Sequence, residues 1–357
     1  MSATRFVAHN GLEAFLAFLS QNAERVLAPT ERPATAKPSV VFAPWRKGQP
    51  ALLKKATVSP KWAVFPECEV LFRYRIGADG AGGRSLELSP DPAGSETIVF
   101  GGRPCDAGGF PALDRVYMQG LFKDPYYAAR REKLTVITKT CNTGCQTCFC
   151  HWVGMGPTSP AGSDILMTEV ADGFVLQAIT EKGRNLLAKS SLEDGGAKMP
   201  EVMERRKQTW AGLKPAPDIS GSTEALKAIF ADADFWTRQT DRCISCGACT
   251  YFCPTCYCFN ITDEGEPKSE NGGARLRSWD NCMSARYTRE ASGHNSRPLK
   301  SERMRNRVSH KFWTYPENWG AYLCTGCGRC IVNCPVNLDI REIVQAALAG
   351  AAGTARS

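Results

Sequence analysis

The sequence predicts an α+β fold, an N-terminal α/β domain followed by a mainly helical domain built around two cysteine runs. Three observations carry this. Apolar segments at 69–74, 96–100 and 134–139 read as buried strands separated by turn residues. From Ser222, which reads as a cap, Leu226, Ile229, Phe230 and Phe235 recur at helical intervals. Finally, Cys243-x-x-Cys246-x-x-Cys249-x-x-x-Cys253-Pro254 is matched in spacing by Cys324-x-x-Cys327-x-x-Cys330-x-x-x-Cys334-Pro335, and matched runs indicate a duplicated unit. The expected division is 1–60, a helix and an irregular segment; 61–190, the α/β domain with cysteine-rich motifs; 191–222, a linker; 223–345, the domain of the two runs; and 346–357, a tail.

Each run offers three closely spaced thiolates that can wrap one corner of a cubic iron-sulfur cluster. Its fourth Cys, set off by three residues and followed by Pro, reaches elsewhere. In two-cluster bacterial ferredoxins that fourth Cys ligates the other cluster. The spacing therefore predicts cluster I on Cys243, Cys246, Cys249 and Cys334, and cluster II on Cys324, Cys327, Cys330 and Cys253. Zinc sites also use Cys-x-x-Cys pairs, but they need two pairs per metal and leave a third Cys at that spacing without a use. A long insertion between Cys253 and Cys324 favours a mainly helical two-cluster [4Fe-4S] ferredoxin-like domain over a compact ferredoxin.

Composition narrows the setting. The 357 residues are 43% hydrophobic and 22% charged, which points to folded domains rather than disorder. The 17 cysteines lie behind a start that lacks the pattern of a secretion signal, so they are expected to be reduced, metal-binding and cytoplasmic. No stretch of about eighteen apolar residues occurs, so no direct membrane span is expected. Net charge is +8, much of it between Arg286 and Lys311. That stretch reads either as a solvated face or as a positive field around negatively charged clusters. No nucleic-acid motif accompanies it, and no nucleic-acid partner is expected.

In chain order, Leu12, Phe15, Leu16, Phe18, Leu19 and Val26 predict an amphipathic helix over 11–27. A Pro- and Lys-rich stretch, 28–61, reads as irregular with a β-like piece at 39–42. A glycine-rich turn, Gly101-Gly102-Arg103-Pro104-Cys105-Asp106, follows a strand and suits close backbone approach to a cofactor, although it matches no phosphate-loop pattern. A helix is expected over 114–132. The strand at 134–138 then runs into Cys141-x-x-x-Cys145-x-x-Cys148-x-Cys150-His151, cysteines too crowded to read as buried small hydrophobes. The insertion adds Cys256, Cys258 and Cys282 beside aromatic residues.

FGGRPCDAGG (100–109), KDPYYAARRE (123–132), TCFC (147–150), GSDI (162–165), CPTCYCF (253–259), R-x-R-N-R-x-x-H-K-F (303–312) and CTGCGRCIVNCPVNLDI (324–340) together resemble one family. It is the iron-sulfur subunit shared by cytosolic sulfhydrogenase-type [NiFe] hydrogenases, where it is the β subunit, and by anaerobic sulfite reductases. The resemblance spans roughly residues 60–345. It implies an electron-transfer subunit, non-catalytic itself, working between a flavin- and NAD(P)-binding subunit and a catalytic redox subunit.

A third iron-sulfur cluster is the sharper expectation. Cys105, Cys141, Cys148 and Cys150 would close one site, or the two C-x-C pairs would converge with Cys282. Cys68 and Cys145 fall outside the pattern and read as free thiols. The rival reading is a flavin- or substrate-binding reductase with its own site at 101–109. Against it, His9, His151, His294 and His310 are scattered and form no acid/base constellation.

Overall fold

Strands that are covered on both faces are buried along their whole length, as residues 97–102 and 134–139 are, with Ile98, Val99, Phe100, Leu134, Val136 and Ile137 as their apolar core and Thr97, Thr135, Thr138 and Lys139 buried beside them. They form the centre of the molecule in the computed structural model, which describes residues 4–32, 39–78, 83–90, 92, 94–266 and 271–354. Numbered in chain order, the strands are β1 (Thr4–Ala8), β2 (Arg25–Arg32), β3 (Ser39–Pro44), β4 (Cys68–Ala78), β5 (Arg84–Pro90), β6 (Thr97–Gly102), β7 (Leu134–Lys139), β8 (Ile165–Val170), β9 (Gly173–Ala178), β10 (Glu193–Asp194), β11 (Phe259–Gly265) and β12 (Gly272–Trp279). One sheet has the order β10-β1-β9-β8-β7-β6-β2-β3, and a smaller one the order β11-β12-β4-β5. Within the large sheet β2, β6, β7 and β8 run parallel.

The helix Leu12–Gln21 buries Phe15, Leu16 and Leu19 on one face of that sheet. It is shorter than its apolar pattern because Asn22 closes it, its side-chain amide donating to Phe18 O at 2.9 Å, and Val26 belongs to β2. The helix expected over 114–132 is two helices, Gly109–Met118 and Pro125–Glu132. Asp124 caps the second by accepting from Tyr127 N at 2.8 Å, with Pro125 in the first turn.

The stretch expected as a linker, 191–222, is built into the fold. β10 pairs with β1, and the helix Met199–Ala211 lays Val202 against Val170 and Val175. Its apolar contacts are few, chiefly Val202 with Met199 beside it, so its mostly polar composition hid it. The C-terminal half packs Ser222–Ala228, Ala233–Thr240, Lys300–Ser309 and Ile340–Thr354 around Leu226, Trp236, Met304, Val308 and Ile343. Residues 340–354 continue as helix into the expected tail, whose last residues, 355–357, lie outside the described residues, as do 33–38 of the irregular stretch.

The insertion is not helical throughout. β11 and β12 form a hairpin that joins β4, so chain from both halves shares one sheet. The joint is polar and buried. Arg277, 3% exposed, pairs with Glu69 at 2.7 Å and with Asp124, while Trp279 Nε1 donates to Phe65 O at 3.0 Å. Among the described residues no helix is long and apolar enough to cross a membrane.

Candidate metal centres

The two cysteine runs fold alike because their intervening residues adopt the same unusual backbone. Ser245 and Gly247 in the first run, and Gly326 and Gly328 in the second, all have positive φ, between 59° and 77°. These left-handed turns curl each loop around its own thiols. Ser245 N donates to Cys243 Sγ at 3.4 Å and Gly326 N to Cys324 Sγ at 3.4 Å, with Leu338 N to Cys334 Sγ at 3.3 Å. Amide donors to sulfur stabilise thiolate ligands and tune a cluster's potential. The short helices that follow, Ala248–Tyr251 and Arg329–Val332, pack against each other, which brings the two loops together.

The structure brings Cys243, Cys246 and Cys249 to one cavity with Cys334 and Cys330 from the other run. Cys253 is buried beside the second run: it lies among the charges felt by Cys324 and Cys330, and burial pushes the Cys324 thiol up to about 12. Its sulfur meets Thr255 Oγ1 at 3.3 Å and Lys311 Nζ at 3.4 Å.

The donor set fits negatively charged clusters. Arg303, Arg307 and Lys311 stand four residues apart on one helical face and are 4%, 3% and 2% exposed. None of the three forms an ion pair with a carboxylate among the described residues. A buried cation needs a counter-charge, and sulfur supplies it. Arg307 Nη1 donates to Cys256 Sγ at 3.3 Å and Nη2 to Cys249 O at 2.6 Å. Burial works against the Arg307 charge, yet the thiols of Cys249, Cys256, Cys282 and Cys253 hold its pKa raised, and Cys253 and Cys256 do the same for Lys311. Part of the basic stretch is thus an inward stripe rather than a solvated face, and its four-residue spacing is the signal that reveals it. The Thr325 hydroxyl, between Cys324 and Cys327, is buried without a hydrogen-bond partner and adds a donor.

A second gathering lies at the carboxyl ends of β6 and β7. Cys105, Cys141, Cys148 and Cys150 line one cavity of about 330 Å³, and Cys145, expected as a free thiol outside the pattern, lines it with them. A hydrogen bond from the Cys148 thiol holds Cys145 down to about 5, while burial lifts Cys150 to about 11. The C-x-C pairs do not converge. Cys258 pairs with Cys282, which it holds down to about 5, and Cys256 neighbours Cys253 and Arg307. Cys68 is exposed at the start of β4. Among the described residues no three His, Cys, Asp or Glu side chains gather as one metal ion requires; a cube spreads its thiolates over four separate irons, a wider arrangement than zinc with sulfur at ~2.3 Å.

Sequence reasoning missed the charged groups that bind these loops together. Arg329, beside Cys330, pairs with Asp106, beside Cys105, at 2.6 Å with both side chains 1% exposed. Lys61, 3% exposed, donates to Cys256 O at 2.8 Å. No local pattern marks such residues; only the tertiary fold brings them to the cysteines.

Residues 242–338, which contain both runs, match a family model described as a 4Fe-4S dicluster domain. The chain is thus an iron-sulfur protein with a two-cluster domain. Over 254 residues it is 29% identical to sulfhydrogenase 2 subunit beta of Pyrococcus furiosus, an alignment covering 70% of this chain and 73% of that one. The chain is thus similar to an iron-sulfur subunit of a sulfhydrogenase over most of its length.

Proposed function

We propose that the chain is the electron-relay subunit of a multi-subunit oxidoreductase, passing electrons between a flavin- and NAD(P)-binding subunit and a catalytic subunit of hydrogenase or sulfite-reductase type. One observation carries the reading: Cys334 shares a cavity with Cys243, Cys246 and Cys249, far from it in sequence. That supports the crossed sets, Cys243, Cys246, Cys249 and Cys334 for one [4Fe-4S] cluster and Cys324, Cys327, Cys330 and Cys253 for the other. Each cluster, when bound, supplies one-electron storage and release without bond-making. The chain's own groups set the ease of that exchange: Arg307 and Lys311 favour added negative charge, amide donors soften the thiolates, and Met283 and Met304 exclude water on the Cys243 side. The relative's name, a sulfhydrogenase subunit, supports the partners.

The last glycines of the 101–109 turn do not favour the reductase reading. A Cβ at Gly108 would lie 2.2 Å from Met155 Cε, and one at Gly109 2.9 Å from Pro254, so these glycines serve close packing within the protein. His310 is engaged too, its Nε2 lying 2.9 Å from the Tyr257 hydroxyl.

Anaerobic purification of the tagged chain from its own cells tests the proposal. It should bring down a flavin subunit and a catalytic redox subunit, and reduced pyridine nucleotide should bleach the brown colour of the complex but not of the isolated chain. An isolated chain that oxidises reduced pyridine nucleotide unaided would overturn it.

A further inference from the structure

Five of the cysteines that the two runs leave over surround one cavity, and four of them come from a single loop. β6 and β7 are adjacent and parallel. The carboxyl ends of such strands are where α/β sheets present ligand-binding loops. Cys105 follows β6, and Cys141, Cys145, Cys148 and Cys150 follow β7. Within the loop Cys145 N donates to Cys148 Sγ at 2.9 Å and the Cys148 thiol donates to Cys145 O at 3.1 Å, and all four loop thiols line the same cavity as Cys105. The cavity, about 330 Å³, holds far more than one ion.

Charge agrees. Lys55, Arg103 and Lys139 line the cavity, and Glu169 is its carboxylate, committed to Lys139 at 2.8 Å. Lys55 Nζ lies 3.9 Å from Cys145 Sγ and also donates to the Cys327 carbonyl. Arg103 donates to the Thr140 and Leu53 carbonyls, but among the described residues neither it nor Lys55 pairs with a carboxylate, and two such cations around five thiols suit a group of net negative charge.

We propose that this cavity binds a third [4Fe-4S] cluster, held by Cys141, Cys145 and Cys148 with the fourth corner from Cys105 or Cys150, and in electronic contact with the Cys324–Cys330 loop. The contact is built into the backbone. Phe149 N donates to Gly326 O at 2.7 Å, and a Cβ on Gly326 would lie 2.4 Å from Cys150 N. Only glycine lets the two loops approach so closely. Exchange between the centres moves one electron, one centre being oxidised as the other is reduced, with no proton or bond transferred. The relay then has an end beside β6 and β7.

The full-length chain, loaded anaerobically with iron and sulfide, should bind about twelve irons, four for each cube. The triple variant C141A/C145A/C148A should bind about eight and keep the EPR signals of the two-run clusters, which separates failure here from failure of the crossed assignment. Cys105→Ser or Cys150→Ser, whichever replaces the fourth ligand, should alter the third signal, and Cys68→Ser should alter nothing. Lys55→Met should keep about twelve irons and shift the third centre to a more negative potential, a change that a purely structural lysine would not produce. About eight irons in the unmodified chain with all five thiols open to alkylation, one zinc in their place, or both Cys105→Ser and Cys150→Ser silent would overturn the proposal.

Discussion

Arg329 and Asp106 are each a charged group that stability alone would not place in a core. Both side chains are 1% exposed, and the guanidinium also donates to Ala56 O and Thr57 O. Removing one partner strands the other, at a cost of ~3–5 kcal/mol. Arg329→Met should therefore lower the unfolding free energy measured in denaturant by about that amount, and D106N/R329M should recover much of it. His310 gives a pH signature. Burial, then Lys311 and Arg307, depress its pKa from 6.5 to about 4. Between those values the unfolded chain binds more protons, so stability is complete above pH 6.5 and falls as pH drops toward 4, by about 3 kcal/mol in all. Unfolding measured across that window should flatten in His310→Gln. Sequence spacing identified the thiols of the two runs, because ligand spacing is local. Cys145, Lys55 and Arg329 were not legible as a site, because their roles depend on which loop the fold sets opposite them.

Among the elements, the matched turns carry the most constraint. Gly326 has φ +62° and a neighbour's backbone where its Cβ would be, so Gly326→Ala combines ~1–2 kcal/mol of left-handed strain with displacement of the loop at 147–150. It should cost iron from the second run and disturb the cavity beside β7. Gly48→Ala, at φ +84° with nothing within 4 Å, should cost strain alone. Iron analysis of the two variants side by side checks this. Strands β6 and β7 were legible because each carries a short apolar run, Ile98-Val99-Phe100 and Val136-Ile137. β5 was not, since every one of its residues is exposed. The hairpin β11–β12 hid for a related reason: β11 is wholly exposed, and β12 buries Arg277 with only Ala274 as a buried apolar side chain.

At the scale of the whole molecule, the halves read from the sequence as successive domains are interlocked. β12 pairs with β4, Tyr315 OH donates to Ala112 O at 2.8 Å, and Lys61 reaches Cys256. Thermal unfolding followed by backbone signal and by loss of iron colour should thus give one coincident transition, and chelating the iron should lower it throughout, because metal binding here is folding free energy. Two separate transitions would mean that the halves fold independently. The most direct test of the crossed ligand sets is EPR of dithionite-reduced Cys334→Ser. Crossing predicts that the altered signal is that of the cluster held by Cys243, Cys246 and Cys249, with the Cys324–Cys330 signal retained. Loss confined to the cluster of its own run, with the upstream cluster intact, would contradict it.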